Sequence, residues 1–264
     1  VEIDDEGHAT AVVRGLKAGK GYTLHVFELV DGVELRSQSE ELETGSTPSW
    51  LADLDRDGGD AEGFLYTSIA TDPSSAVILD ADGDYVWWHQ PADDWKNIFI
   101  PRTVPSLDGT GVMYEASTAW IDTGETAETV RELLHVAWDG TELRRITIER
   151  AHHDFVELPD GTVAIIRYHT LNVDGVQVEG DRIVEIHPDG TEAQVWSVWD
   201  HEEFDPDVEY GPADMGWSHD NAIDYDPDED VYYLSSRHLH TIYKIDRATG
   251  DVLWRLGGAR SDFA

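Results

Sequence analysis

Hydrophobic and polar residues alternate in short runs along most of the chain, and turn residues separate these runs. Strict alternation is typical of a β-strand with one buried face, whereas an amphipathic helix repeats about every 3.6 residues. Helical periodicity is almost absent here, and aromatic and β-branched residues dominate the runs. The pattern therefore predicts an all-β protein.

Four segments share one hairpin ending, in which an apolar strand reaches a tight Asp/Gly turn and a second strand returns. They lie at 79–87, 137–143, 186–191 and 245–254. A spacing of about 50 to 60 residues fits the four-stranded blades of a β-propeller. We expect blades at about 62–95, 97–149, 151–200 and 217–257, with an acidic loop at 201–216. Four blades with long insertions close poorly into such a ring, so we expect a partial propeller with further blades beyond Ala264.

The first 47 residues follow a different pattern. Alternating runs at 11–13, 22–27 and 33–35 predict a small β-sandwich, similar to the second half of a fibronectin-type module. A Gly-Ser-Thr-Pro sequence at 45–48 is typical of a linker. We therefore divide the chain into a sandwich-like segment, 1–47, to which we assign no catalytic role, and an incomplete propeller, 48–264.

The chain is strongly acidic, with 55 acidic against 18 basic residues and a net charge of −37. Such a field repels nucleic acid, which we exclude as a partner. The acidic residues are spread over turns and strand edges, which indicates the solvated surface of a folded protein. A second interpretation is adaptation to molar salt, where counterions screen the self-repulsion of the surface.

Cysteine is absent, so thiolate chemistry and disulfides are excluded. No apolar run approaches the roughly 20 residues that span a bilayer, and membrane anchoring is not visible in this segment. The acidic first residues do not resemble a signal peptide.

Histidine, amide and arginine side chains stand at corresponding ends of two apparent strands. His219 and Asn221 open one strand, and Arg237 ends the next. In a propeller the start of an inner strand faces the central channel, so these groups are expected to converge. A planar guanidinium and imidazole N–H groups suit the oxygens of a sulfate or phosphate ester.

A second strand pair repeats this arrangement. His153 opens it and Arg167 closes it, while the adjacent His152 competes with His153 for the channel position. Trp217, beside His219, is a candidate stacking surface for an aromatic acceptor. The site predicted from these residues has His219, Arg237 and His153 as catalytic groups, and Asn221, His152, Trp217 and Arg167 as substrate-binding groups.

Other interpretations of the same residues stay open. Arg237 is available to pair with Asp220 or Asp224 inside the propeller. His238 and His240 share a strand face, which leaves a zinc or copper site open, and the acidic turn 226–230 offers oxygens to calcium. We assign no metal ligand. Because serine-hydrolase, P-loop and dinucleotide motifs are missing, we expect no cofactor.

At these residues the chain resembles the arylsulfotransferase family, the arylsulfate sulfotransferases that use no nucleotide sulfate donor. The resemblance rests on Trp217 to Ile223, Ser235 to His238, Ile245 to Trp254, and His152 to Gly161. It implies a six-bladed propeller in which a sulfuryl group passes from an aryl sulfate donor to a phenolic acceptor through a sulfohistidine. It also implies that His219 and Arg237 bind the sulfate and that His153 is an earlier channel histidine.

The sequence departs from the family pattern at one important point. The resemblance implies that the sulfur-accepting histidine follows the Leu256-Gly257-Gly258 segment, and we expect it beyond Ala264. The 264 residues alone are therefore expected to be inactive. Members of this kind imply an extracellular or cell-surface location. Two alternatives stay open: a quinoprotein-like propeller, indicated by the Asp246 to Trp254 pattern, and a non-catalytic surface propeller that binds an anionic glycan or a partner protein.

Overall fold

A computed structural model describes residues 2–3, 9–10, 12–31, 33–54, 62–69, 74–91, 102–118, 131–206, 210 and 216–263. Nearly all regular structure in these ranges is β-strand, and the helix α1 (Val198–His201) is a single turn. The all-β prediction is confirmed. None of the helices in the described ranges is long and apolar enough to cross a membrane.

The N-terminal strands form three antiparallel pairs. These are β1 (Glu2–Ile3) with β2 (Ala9–Thr10), β3 (Gly21–Leu24) with β6 (Glu40–Glu43), and β4 (Phe27–Val30) with β5 (Val33–Arg36). The sandwich over 1–47 and the domain boundary stay predictions. Lys17, between β2 and β3, connects this part of the chain to the next sheet, because its ammonium contacts the carboxylates of Asp80, Asp82 and Asp84 at 2.5 to 3.1 Å.

Four antiparallel sheets follow, and each is a blade of a β-propeller. Blade I contains β7 (Phe64–Ile69), β8 (Ser75–Asp80) and β9 (Tyr85–His89), and blade II contains β10 (Thr103–Pro105), β11 (Gly111–Ser117), β12 (Arg131–Ala137) and β13 (Glu142–Thr147). Blade III contains β14 (Ala151–Glu157), β15 (Val163–Val173), β16 (Val176–Ile186) and β17 (Glu192–Ser197). Blade IV contains β18 (Asp220–Asp226), β19 (Val231–Ser236), β20 (Thr241–Asp246) and β21 (Val252–Gly257).

The predicted hairpin endings join the last two strands of each blade. Each turn has a glycine with a φ of 75° to 87°, a left-handed conformation that other residues adopt at a cost. An aspartate one to four residues before each glycine accepts a backbone N–H of the turn with its side chain, as Asp189 does from Thr191 at 2.9 Å. The predicted blade order is confirmed, although blade I has three strands in the described ranges. Residues 92–95 of predicted blade 62–95 and half of loop 201–216 lie outside these ranges.

The core lies between the blades. Trp196 and Ile183 of blade III pack with Tyr232 and Tyr243 of blade IV, and all four side chains are buried. Similar clusters join blade I to blade II and blade II to blade III. Because the sheets pack face to face, the first strands of blades III and IV, β14 and β18, are neighbours. This packing places the starts of the two strands side by side.

Candidate functional site

The two histidines predicted at the starts of the inner strands adopt an unusual backbone conformation. His153, within β14, has a φ of 64°, and His219, just before β18, has a φ of 48°. Non-glycine residues seldom adopt this region, although histidine tolerates it better than most. The pairing of each strand with its neighbour shifts register at the same place, between Ala151 and Phe155 and between Asp220 and Ala222. These bulges set the direction of both imidazoles.

The bulges bring histidines of two blades together. The ring centroids of His153 and His219 lie 4.9 Å apart with the rings edge to face, and those of His219 and His238 lie 4.7 Å apart. His152 meets His153 at 5.1 Å. We call these four residues the histidine cluster. The predicted convergence of His153 and His219 is present in the structure, and His238 belongs with them.

Arg237 lies at the rim of the histidine cluster. Its backbone N–H donates to the His219 carbonyl at 3.0 Å, which fixes the end of β19 against the start of β18. Its guanidinium Nη1 is 3.5 Å from His219 Nε2, and the residue is exposed. Within the described ranges Arg237 forms no ion pair, so the alternative in which Asp220 or Asp224 neutralises it is not observed there. The guanidinium is available to an anion from solution.

The buried carboxylate of Asp181 supports the histidine cluster from behind. Asp181 lies on β16, and its Oδ1 is 2.9 Å from His152 Nε2. Its Oδ2 accepts the Ser218 hydroxyl at 2.6 Å and the Asp220 backbone N–H at 2.8 Å. One side chain of blade III therefore holds both a histidine of its own blade and the segment that carries His219.

The protonation of the histidine cluster follows from its burial. Burial, with the nearby His152 and His219, lowers the pKa of His153 to about 3. Burial also lowers the pKa of His238, whose Nδ1 donates to the Gly216 carbonyl at 2.9 Å. Both imidazoles are consequently neutral near pH 7, and the positive charge at this rim belongs to Arg237.

The pKa values of two buried carboxylates next to the cluster are shifted in opposite directions. Burial raises the pKa of Asp181, but the imidazole of His152 and the three hydrogen bonds outweigh it, so the pKa lies below its ordinary value. Asp220 is fully buried, and neither of its carboxylate oxygens has a hydrogen-bond partner among the described residues. Its pKa is raised well above the ordinary value by burial and by the charge of Asp181.

The remaining predicted site residues divide into one that joins the cluster and two that do not. Asn221 lies half-buried in the bulge of β18, beside His219. Trp217 is only 3% exposed, and its ring packs against Trp199, Phe204 and Tyr210 at 5.2 to 5.6 Å.

Three predictions are therefore corrected. Trp217 is a core residue that packs over Gly180, because its ring faces are covered by other aromatic rings, so it is no exposed stacking surface. Arg167 forms a two-pronged ion pair with Glu192, at 2.6 and 3.0 Å, so its guanidinium is held by the outer strand β17 and not by the cluster. His152 is completely buried and contacts His153 and Asp181, so it supports a channel histidine and is not itself exposed to a substrate.

Asp154 has a structural role that the sequence did not reveal. Its Oδ1 pairs with Arg102 of blade II and accepts the Phe155 backbone N–H, and its Oδ2 accepts the Ile223 N–H of blade IV at 3.0 Å. One aspartate thus connects three blades next to the bulge. Asp154 and Asp181 were missed because the sequence shows only acidic residues in apolar strands. A carboxylate inside such a strand is itself a signal, since buried charges are rare unless they have partners.

The structure gives little support to a metal site at the positions considered. Within the described ranges a single set of three potential ligands lies close together, namely Asp80, Asp82 and Asp84, and the Lys17 ammonium already contacts all three. His238 and His240 belong to no such set there. The same holds for the acidic turn 226–230.

Comparisons with known proteins agree with the resemblance seen in the sequence. The model of the family described as Arylsulfotransferase (ASST) matches residues 55–263. No curated protein matches the chain. Among solved structures, hydrazine synthase of Kuenenia stuttgartiensis is similar with 16% identity and a TM-score of 0.45, over 85% of this chain and 58% of that one.

Two further similar structures are described as 6-phosphogluconolactonases. The putative enzyme of Bacteroides fragilis has 14% identity and a TM-score of 0.37, over 91% of this chain and 65% of that one. The putative enzyme of Bacteroides uniformis has 15% identity and a TM-score of 0.35, over 89% and 78%. The chain spans less than two thirds of the first two structures, and likeness at this level carries no information about activity. The family match covers most of the chain and includes every residue of the histidine cluster, so the chain belongs to the arylsulfotransferase family.

Proposed function

We propose that this protein takes part in sulfuryl transfer from an aryl sulfate ester to a phenolic acceptor, and that Arg237 and the histidine cluster hold the sulfuryl group. The observation that carries this proposal is the position of Arg237. It is an exposed guanidinium with no ion pair among the described residues, next to imidazoles of two blades, in a chain with a net charge of −37.

The strong negative charge of the chain makes the exposed Arg237 an indication of an anion-binding site. An acidic surface repels anions, so a site for a sulfate ester needs a local reversal of the field. A guanidinium provides a planar fork of N–H donors that matches two oxygens of a sulfate group. His219 lies against Arg237 and orients it, and the Asn221 amide, in the adjacent bulge, is a neutral donor for the third oxygen.

Sulfuryl transfer makes demands that these groups meet in part. By analogy with phosphoryl transfer, the reaction depends on positioning and on charge stabilisation at the equatorial oxygens. One well-placed donor in such a site contributes about 3 to 4 kcal/mol to lowering the barrier. The neutral His153 and His238 suit proton movement at the donor or acceptor oxygen. We assign the sulfur-accepting step to no residue of this chain, and the later histidine implied by the resemblance stays a prediction.

The proposal is tested by binding and by transfer. Calorimetric titration of the protein with 4-nitrophenyl sulfate and, separately, with 4-nitrophenol compares ligands that differ only in the sulfuryl group. We expect binding of the sulfate ester and at least tenfold weaker binding of the phenol. Release of 4-nitrophenol in the presence of a second phenol, with mass-spectrometric detection of its sulfate, measures transfer. Equal affinity for the two ligands would contradict the assignment of the cluster as a sulfuryl site.

A further inference from the structure

A series of hydrogen bonds behind the histidine cluster connects Asp181 to His153 through His152. It runs from Asp181 Oδ1 to His152 Nε2 over 2.9 Å, and from His152 Nδ1 to His153 Nδ1 over 2.8 Å. His152 is fully buried and stacks on Tyr168 with ring centroids 4.0 Å apart, so its ring has no freedom to turn. Each ring nitrogen of His152 therefore has one fixed partner.

The positions of the protons in this series of hydrogen bonds follow from its first member, the Asp181 carboxylate. Asp181 is a carboxylate and only accepts hydrogen bonds, so His152 carries a proton on Nε2. A neutral His152 then has a lone pair on Nδ1, and the 2.8 Å contact requires that His153 donates its Nδ1–H. Two further donors, the Ser218 hydroxyl and the Asp220 N–H, already stabilise the charge of Asp181, so His152 needs to provide only one N–H.

This assignment determines the state of the second ring nitrogen of His153, Nε2. With its proton on Nδ1, a neutral His153 has a lone pair on Nε2, and within the described residues this atom has no hydrogen-bond partner. The imidazole faces the His219 ring at 4.9 Å and is half-buried, at the edge of the proposed sulfuryl site.

We propose that Asp181 is a positioning residue which, through His152, keeps His153 in the Nδ1–H tautomer and leaves its Nε2 ready to accept a proton from the acceptor hydroxyl. This inference rests on the proposed function for its catalytic half, and on the hydrogen bonds alone for its structural half. In the step, the acceptor oxygen bonds to sulfur as its proton moves to Nε2. The bond between sulfur and the group that carried the sulfuryl before the transfer breaks, and that group leaves with the electron pair of the bond.

The low pKa of His153 fits this role only when the site is occupied. A base with a pKa near 3 accepts protons poorly at neutral pH. A bound sulfuryl anion favours the charged form of a neighbouring imidazole. Burial therefore keeps His153 unprotonated until the substrate binds, and the bound substrate itself strengthens the base.

Asp181→Asn tests the relay because the backbone fixes how the new amide lies. The Asp220 N–H only donates, so the amide oxygen must face it, and the amide NH₂ then faces His152 Nε2. His152 is forced to carry its proton on Nδ1 and to donate to His153. His153 must then carry its proton on Nε2. The substitution reverses every proton in the chain while it preserves the hydrogen-bond geometry.

The tautomer is read by two-bond ¹H–¹⁵N correlation spectra of the histidine rings, with the signals of His153 assigned by their loss in His153→Asn. We expect an Nδ1–H tautomer in the natural protein and an Nε2–H tautomer in Asp181→Asn. Glu185→Gln is the matched control: Glu185 is a buried carboxylate on the same strand, but it pairs with Arg247 and Tyr232. This control leaves the His153 tautomer unchanged.

Transfer kinetics then separate the relay from the proposed function. We expect Asp181→Asn to lower kcat by about 10² or more, the usual contribution of general-base catalysis, with KM for the aryl sulfate changed less than threefold. An Nε2–H tautomer in the natural protein, as a doubly protonated His152 would impose, overturns the relay even if Asp181→Asn fails to fold. The expected tautomers with an unchanged kcat overturn the catalytic half. The expected tautomers without binding of 4-nitrophenyl sulfate by the natural protein uphold the relay and contradict the proposed function.

Discussion

His153 and His219 share a left-handed backbone conformation, and their rings meet edge to face with centroids 4.9 Å apart. The first belongs to the inner strand of blade III and the second precedes the inner strand of blade IV. A left-handed histidine thus occurs in or next to a bulge in two successive blades, and the packing of these blades brings the two distorted segments into one site.

Arg237→Gln is expected to weaken recognition of the sulfate ester. The substitution removes the charged fork but retains a polar side chain, and loss of one such donor costs about 10²- to 10³-fold in rate. Affinity for 4-nitrophenyl sulfate, measured by calorimetry, is expected to fall at least tenfold. Arg260→Gln is the control, because this arginine is also exposed and its loss changes the net charge equally, but it pairs with Glu202. Similar losses in both variants would show that net charge alone matters.

His219→Asn is expected to weaken binding of the sulfate ester at least tenfold without a change of backbone conformation. Asparagine tolerates a φ near 48° better than other residues, so the bulge persists while the imidazole beside Arg237 is lost. His240→Asn is matched in backbone conformation, with a φ of 53°, but is exposed. Calorimetry on the two variants provides the comparison. Full affinity in His219→Asn would remove His219 from the site.

His153 is expected to make the stability of the protein depend on pH below about 6.5. Its pKa is about 3 in the folded protein and about 6.5 in the unfolded chain, so the unfolded state binds the extra proton. The free energy of unfolding therefore falls as the pH drops from about 6.5 towards 3, by at most about 1.4 kcal/mol per pH unit from this group.

The His153→Asn variant isolates the contribution of His153 to the pH dependence of stability. His153→Asn removes the titrating group, so its stability relative to the natural protein is expected to rise steadily as the pH is lowered through this range. Urea unfolding at pH 4.5, 5.5, 6.5 and 7.5 measures the difference. Parallel curves for the two proteins would mean that burial does not keep His153 neutral.

Asp154→Asn is expected to lower the free energy of unfolding by about 1 to 3 kcal/mol. Asp154 accepts hydrogen bonds from Phe155 and from Ile223 of the next blade, and it pairs with Arg102 of the preceding blade. Loss of its charge weakens charge-assisted hydrogen bonds across both contacts. Asp160→Asn, in an exposed turn of the same blade, is expected to change stability by less than about 0.5 kcal/mol. Equal losses in the free energy of unfolding of the two variants, measured in urea, would show that the contacts of Asp154 between blades add no stability.

The acidic surface is expected to make the protein more stable in concentrated salt. With a net charge of −37, self-repulsion destabilises the compact state, and raising KCl from 0.1 M to about 3 M shortens the screening length from about 10 Å to below 3 Å. We expect the melting temperature to rise over this range, as followed by circular dichroism. A melting temperature that is independent of salt would favour the simpler interpretation, in which the charge serves solubility.

Local pattern alone was sufficient for several features of this protein. Alternation and Asp/Gly turns predicted the all-β class and the blades. Both signals depend only on residues that are close in sequence: a strand with one buried face shows alternation, and a tight turn needs a left-handed glycine. The pairing of His219 with Arg237 was also accessible, since the two residues end adjacent strands of a single hairpin.

Contacts between sheets were decided only by the tertiary structure. His153 meets His219, and Asp181 accepts hydrogen bonds from Ser218 and Asp220, residues far apart in the chain. The burial of Trp217 also depends on residues from other parts of the chain. Alternation shows which face of a strand is buried, but not which side chain of another sheet it meets. The ion pair that withdraws Arg167 from the site lies within blade III, but it too was not predicted, because its partner Glu192 lies on a strand that is not adjacent to β15. The sequence by itself determined the chemical groups and their blades, whereas packing between blades determined which of them form one site.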